Sequence, residues 1–187
     1  MARHRRDTSP TGSLAERARS GDGEALSELW TRYAPAVAAY LRAHGVRDAD
    51  DLTSEVFLAV FARIRRFRGG DDDLRTFIFS VAHHRWVDDV RRRARRGDAV
   101  PYDAGADPRS VPSAEADVLQ SLDALRAREL VAALPPDQRE VMLLRFFGDL
   151  TLEQTASALG KRLEAVKALQ HRALARLRKI LDQAVSL

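Results

Sequence analysis

The segment from Thr151 to Arg178 constrains the fold more than any other part of the chain. Thr151 and, three residues later, Gln154 form a capping-box pattern, which predicts the start of a helix. Gly160 follows the last apolar residue of that helix and predicts a left-handed C-cap. A second amphipathic helix comes next. The segment therefore predicts a helix-turn-helix, a motif whose second helix enters the major groove of DNA.

The face of the second helix that the turn presents outward is strongly basic. Between Lys161 and Lys179 there are seven Lys or Arg residues and one acid, Glu164. A run of charge is often only a solvated helix face. Here it coincides with the outward face of the motif, which favours DNA binding. The basic face comprises Arg162, Lys167, His171, Arg172, Arg176, Arg178 and Lys179.

The whole composition narrows the class of protein. The 187 residues suit one or two small domains, and a hydrophobic content of 45% is enough for a core. Apolar residues recur at helical spacing almost throughout, which predicts an all-α fold. No apolar run approaches membrane-spanning length and no signal-peptide core is present, so we expect a cytoplasmic protein without membrane insertion. The chain contains no cysteine, which excludes disulfides and thiolate metal sites.

Composition also divides the chain. Residues 97–113 (GDAVPYDAGADPRSVPS) contain three prolines together with Gly, Ser and Asp, which predicts a flexible linker between two small helical domains. The domains are expected at 13–96 and 114–187. Residues 1–12 are expected to be a disordered tail.

Capping and helix-breaking residues predict the individual helices. The first domain should hold a helix from Ser13 to Gly21, one from Asp22 to His44 that kinks or restarts at Pro35, one over Asp48–Arg66, and one over Leu74–Arg96 capped by Asp72 or Asp73. The second should begin with a helix over 114–133, and Pro136 should start the next helix, ending near Phe147. In that helix Val141, Leu144 and Phe147 should pack against the helix-turn-helix.

The third helix has a wider apolar surface than one packing face requires, because Phe57 and Phe61 widen the stripe. Burial on both sides within a helical bundle explains this. The alternative is a docking surface for a partner, with Asp51, Ser54 and Glu55 as its polar rim.

The fourth helix combines aromatic and basic residues. His83, His84, Arg85 and Trp86 lie on its middle turns, and its end carries Arg91, Arg92, Arg93, Arg95 and Arg96. Interleaved cations and rings suit single-stranded nucleic acid, because bases stack on rings while cations hold the backbone. His84 and Asp88 are four residues apart and form a possible metal pair. Two ligands are too few for a metal centre, so we expect no metal, no cofactor and no catalytic centre.

Three segments together resemble the extracytoplasmic-function (ECF) sigma factors of bacterial RNA polymerase. DADDLTSEVFLAVF resembles the polymerase-docking segment of the family, and LRTFIFSVAHHRWVDDVRRRARR resembles its −10 recognition helix. LPPDQREVMLLRFFGDLTLEQTASALG, followed by AVKALQHRAL, resembles its −35 recognition domain. The resemblance covers the chain from about Ala25 to Ile180.

The resemblance implies a function without catalysis. The protein would bind core RNA polymerase, direct it to promoter DNA and help to open the duplex, and an anti-sigma factor is a possible further partner. Polymerase contacts would come from Asp51, Ser54, Glu55 and Phe57. The −10 element would be held by Phe67, Arg68, His84, Arg85, Arg91, Arg92 and Arg95. The −35 element would be contacted by Arg162, Lys167, Ala168, His171, Arg172 and Arg176, with Arg162 and Arg176 expected on phosphates.

The chain departs from the family pattern at several positions. Ser54 replaces a common Gln, and His84 replaces a common Asn near the extruded base. The recognition helix reads EAVKALQ, which places Leu169 where Arg is frequent, and we expect Leu169 to be buried.

Two other functions remain open from the residues. A conventional helix-turn-helix regulator would bind an operator without polymerase, but it would leave the first domain unexplained. A helical RNA-binding or metal-dependent phosphodiester-cleaving protein would show nuclease activity that EDTA removes.

Overall fold

The computed structural model describes residues 12–96 and 129–185, and all the regular structure in these two ranges is helical. The helices are α1 (Leu14–Ser20), α2 (Gly23–Ala43), α3 (Ala49–Ile64), α4 (Asp71–Arg96), α5 (Pro136–Phe146), α6 (Leu152–Leu159) and α7 (Leu163–Val185). The all-α fold is thus confirmed. The predicted linker, the tail up to Thr11 and most of the predicted helix over 114–133 lie outside the described residues.

The predicted caps of the first two helices are present. Ser13 and Glu16 form the complete capping box of α1, and Gly21 ends that helix in the left-handed conformation. Asp22 accepts hydrogen bonds from the backbone N–H groups of the first turn of α2. Pro35 lies inside α2, and the helix continues through it without a break. The helix therefore does not restart at Pro35.

The start of α4 differs from the prediction. The helix begins at Asp71, so Asp72 and Asp73 lie in its first turn instead of capping it. The carboxylate of Asp71 accepts hydrogen bonds from the backbone N–H of Leu14 at 3.2 Å and of Ala15 at 2.7 Å, and so it caps α1. The bond from Ala15 lowers the pKa of Asp71, with support from Leu14. Asp71 therefore ties the first helix to the fourth.

The helix-turn-helix forms as the sequence predicts. Thr151 and Gln154 exchange both hydrogen bonds of the capping box at the start of α6. Gly160 has φ +61°, a conformation that is costly for residues with a Cβ, and it ends α6. Val166 of α7 is fully buried against Ala156 of α6.

The two halves of the chain share one hydrophobic core. The buried faces of α1 to α4 form most of it, and α5, α6 and the turn between them contribute Leu143, Leu144, Leu150 and Ala158. Of the three residues expected to pack α5 on the helix-turn-helix, Val141 clusters with Ala156 and Val166, whereas Leu144 and Phe147 belong to the shared core. Ala158 of α6 also contributes to that core. The sequence pattern shows that a face is apolar but does not show which helix covers it.

Gly148 lies at a close approach between the halves. A Cβ there would lie 2.5 Å from the Leu144 carbonyl oxygen and 3.3 Å from the Phe79 ring. Arg75 of α4 donates to the Gly148 carbonyl at 3.1 Å and lies 3.6 Å from the Asp149 carboxylate. The absence of a side chain at Gly148 thus allows the α5–α6 turn to rest on α4.

Candidate nucleic-acid interface

The basic face of α7 is exposed to solvent. All six residues expected at the −35 element have exposed side chains: Arg162, Lys167, Ala168, His171, Arg172 and Arg176. Leu169 is half-buried and packs on the cluster around Val166, as expected for a core residue. The packing of α7 on α5 and α6 therefore leaves its charged side at the surface, where Lys167 pairs with Glu164 at 2.9 Å and the face is accessible to DNA.

A shallow concavity between α5 and α7 continues this surface. It is lined by Gln138, His171, Arg172, Ala175, Arg176 and Lys179. Gln138 comes from α5 and lies outside the recognition helix, so the sequence pattern did not single it out. Its side chain provides an amide beside three cationic groups, an arrangement suited to phosphate.

The arginines at the end of α4 are held in two different ways. Asp89 is buried and pairs with Arg92 at 2.7 Å and with Arg93 at 2.8 Å. The bond to Asp89 raises the pKa of Arg92, and Glu55 of α3 adds to the shift. Arg91 and Arg95 are exposed on the same helix end, with Arg91 3.9 Å from Asp88. Asp89 therefore fixes the direction of two arginines and leaves others at the surface.

His84 is exposed and its ring has a defined orientation. Its Nδ1 lies 2.6 Å from the carbonyl oxygen of Ser80. Because a carbonyl oxygen only accepts, Nδ1 must carry the proton, and Nε2 of the neutral ring is then an acceptor directed elsewhere. The candidate metal partner Asp88 is exposed one turn later. No group of three potential metal ligands occurs among the residues that the structure describes.

The aromatic residues of this region are mostly occupied by packing. Phe67 stacks on Phe77 with ring centroids 4.9 Å apart, and Arg68 beside it is exposed. Trp86, expected to offer a ring for base stacking, is half-buried and stacks on His44 at 3.8 Å. Arg85 is half-buried as well. The interleaved pattern on α4 therefore serves the core as much as the surface.

The outer face of α3 differs from the expectation at one residue. Asp51, Ser54 and Glu55 are exposed, whereas Phe57 is 1% exposed and packs edge-on against Trp30. The adjacent Leu58 is 70% exposed. Leu58 is thus an apolar residue available to a partner on this face, whereas Phe57 is covered by its packing against Trp30.

A buried polar cluster lies between the halves, and the sequence pattern gave no sign of it. Glu140 of α5 is 5% exposed and lies 2.9 Å from Nδ1 of His83, and its other oxygen lies 3.1 Å from Nε2 of His44. The hydroxyl of Tyr40 donates to it at 2.5 Å. Burial alone would raise the pKa of Glu140, but the two histidines outweigh it and lower the pKa to about 2.

Comparison with protein-family models identifies two regions of the chain. Residues 29–96 match sigma-70 region 2, and residues 130–179 match sigma-70, region 4. The ECF RNA polymerase sigma factor ShbA of Streptomyces griseus is 36% identical over 95% of this chain and 98% of its own length. The chain belongs to the ECF group of the sigma-70 family. It is an alternative sigma factor, which directs transcription initiation with RNA polymerase.

Other relatives and structures extend this result to the fold of the sigma factor. The ECF sigma factor SigD of Mycobacterium tuberculosis is 34% identical over 85% of this chain and 78% of its own. The structure of CnrH in complex with the cytosolic domain of CnrY has a TM-score of 0.66 and 25% identity, covering 91% of this chain and 96% of that one. The Bartonella quintana sigma factor RpoE, solved with the anti-sigma factor NepR, has a TM-score of 0.68 at 20% identity over 83% and 96%.

In the two described ranges, no helix combines the length and the apolar character needed to cross a membrane.

Sigma factors are not known as enzymes, and the surfaces described above are all suited to binding.

Proposed function

We propose that three exposed surfaces of this sigma factor divide the work of initiation. The outer face of α3 binds core RNA polymerase, the end of α4 with its adjoining loop binds the −10 element, and the outer face of α7 binds the −35 element. The observation that carries the proposal is the exposure of the α7 basic face within the part of the chain that matches sigma-70, region 4.

On α3 the polymerase contact consists of Asp51, Ser54 and Glu55, with Leu58 supplying the apolar contact in place of Phe57. The two carboxylates are exposed and suit a basic partner surface. Leu58 is 70% exposed beside these carboxylates, so its apolar side chain is available to a partner on this face.

At the −10 element, His84 and Arg85 face the bases and Arg91, Arg92 and Arg95 hold the backbone, with Phe67 and Arg68 in the loop before α4. The outward Nε2 of His84 accepts a hydrogen bond from a base N–H, since Nδ1 is committed to Ser80. Extruding a base costs a few kcal/mol, which these contacts must offset.

At the −35 element, Lys167, Ala168, His171 and Arg172 face base edges, and Arg162 and Arg176 contact phosphates. Arg172 suits a guanine, because a guanidinium can donate to O6 and N7 together. Ala168 suits a thymine methyl group, to which a small apolar side chain can pack.

We also propose that an anti-sigma factor controls the chain. The support is the class of partner bound to RpoE of Bartonella quintana, whose fold this chain shares. A protein of this class should abolish transcription by core enzyme carrying this chain and leave unchanged transcription by core enzyme carrying a housekeeping sigma factor.

The test of the proposed function compares the protein alone with the protein on core enzyme. Purified chain should shift promoter fragments poorly by itself, and core polymerase should give run-off transcripts from them only when the chain is added. Strong operator-like binding by the free chain, with no transcripts on adding core enzyme, would mean a conventional regulator.

A further inference from the structure

The structure places a buried carboxylate of one half among polar partners that all come from the other half. Glu140 belongs to α5, and Tyr40, His44 and His83 belong to α2 and α4. The ring of His84 lies 5.7 Å from that of His83, and Trp86 closes the cluster by stacking on His44. A charge buried at this depth is tolerated only where partners surround it. Glu140 therefore keeps its environment only while the halves are docked.

The rest of the contact is also a matched surface. Leu143, Leu144 and Leu150 are almost completely buried in the core that α2 to α4 provide. At the edge, Gln154 of α6 donates to the Asp72 carbonyl at 3.5 Å, and Arg75 reaches Gly148 and Asp149. An apolar centre with a polar rim is the composition of a specific interface.

The docked arrangement is too short for a promoter. The −10 and −35 elements are about 25 base pairs apart, which is about 85 Å at 3.4 Å per base pair. A compact body formed by the described residues is about 40 Å across. One docked chain therefore cannot place α4 on one element and α7 on the other at the same time.

We infer that the second half of this chain is an intramolecular partner for the face formed by α2 and α4, and that Glu140 is the latch of this closed state. The inference rests on the proposed function in one respect: that function requires the two halves to separate when core enzyme and promoter are bound. In the closed state the free chain holds its two DNA surfaces at a spacing that no promoter offers. Loss of the Glu140 contacts shifts the population toward the open state.

The closed state is measured directly by distance. The chain has no cysteine, so Ser20→Cys and Ser157→Cys, both at exposed positions in different halves, accept a donor and an acceptor dye for energy transfer. In this background Glu140→Gln removes the charge and keeps the shape, and Glu140→Lys places a cation against both histidines. Asp137→Asn is the matched control, because Asp137 is exposed on the same helix and pairs with Lys161 within the second half.

We expect the energy-transfer efficiency to fall in Glu140→Gln and to fall further in Glu140→Lys. Circular dichroism should show the same helical content in both variants as in the wild type. Asp137→Asn should keep the wild-type transfer efficiency. The open variants should bind core enzyme about tenfold more tightly if the closed state holds nine-tenths of the wild-type molecules. His83→Gln removes a partner of Glu140 and leaves the second half intact, so it should also lower the transfer efficiency. It keeps the test available if a Glu140 variant loses its fold.

An unchanged energy-transfer efficiency in both Glu140→Lys and His83→Gln would contradict the role of Glu140 as the latch. Transfer that disappears on dilution, with dimers in light scattering, would overturn an intramolecular partner in favour of a second copy. The distance measurement needs neither polymerase nor DNA, so an opened variant that gives no transcripts on core enzyme would contradict the proposed function and leave the latch standing.

Discussion

Oε1 of Glu140 lies 2.9 Å from Nδ1 of His83, although 57 residues separate them in the chain. This contact joins α5, in the part that matches sigma-70, region 4, to α4, in the part that matches region 2. One buried carboxylate and its partners therefore connect the two family regions.

The Glu140 carboxylate predicts a dependence of stability on acid. Its folded pKa of about 2 is below the ordinary 4.5, so its contribution is complete above pH 4.5 and is lost as the pH falls toward 2. At 1.36 kcal/mol per pKa unit, the loss is about 3 kcal/mol. Denaturant unfolding should therefore show a larger drop in the free energy of unfolding between pH 5 and pH 2 for the wild type than for Glu140→Gln. Equal drops would mean that Glu140 is not charged in the folded protein.

The basic face of α7 predicts different effects for two of its arginines. Arg172→Ala should cost about 1–3 kcal/mol on the preferred promoter and relax the preference at one base pair. Arg176→Ala should weaken binding to all sequences alike and reduce the salt slope by about one unit. Each variant is the control for the other. The measurement is the binding of holoenzyme carrying each variant to promoter DNA over a series of salt concentrations. The reverse pattern would exchange the two roles.

The outer face of α3 predicts a charge-dependent contact with polymerase. Glu55→Arg should abolish co-purification with core enzyme while the melting temperature stays close to that of the wild type, because Glu55 is exposed. Glu28→Arg makes the same change of charge at an exposed position of α2 and should retain binding. Normal co-purification of the Glu55 variant would remove this residue from the polymerase surface.

Phe57 and Leu58 predict a separation of stability from binding. Phe57→Ala should lower the free energy of unfolding by about 3–5 kcal/mol, because it leaves a cavity beside Trp30. Leu58→Ala should change stability by no more than about 0.5 kcal/mol, since the side chain is largely in solvent, and should weaken core binding. Denaturant titration and pull-down measure the two effects; a Leu58 variant that binds normally would place the apolar contact elsewhere.

The local features of this fold were predictable because each depends on residues a few positions apart. The capping boxes at Ser13 and Thr151 and the C-cap at Gly160 depend on spacing and on backbone preference alone. The cap supplied by Asp71 has no local signal in the sequence, because it serves a helix more than fifty residues away. Periodicity showed that α5 has an apolar face, but not that Leu144 packs on the other half of the chain.

The candidate sites divide in the same way. The basic side of α7 follows from helical geometry once its buried face is known. The resemblance predicts Phe57 on the polymerase surface, but a wide apolar stripe does not show which edge is covered. The Glu140 cluster had no sequence signal, since a Glu on an amphipathic helix is ordinarily solvated.

Run-off transcription with purified core polymerase tests the central claim most directly. Core enzyme with this chain should produce discrete transcripts from a subset of genomic fragments, and neither component should do so alone. Adding Glu55→Arg in place of the wild type should give none. Core enzyme that ignores the wild-type chain on every fragment would contradict the assignment of these surfaces to polymerase and promoter.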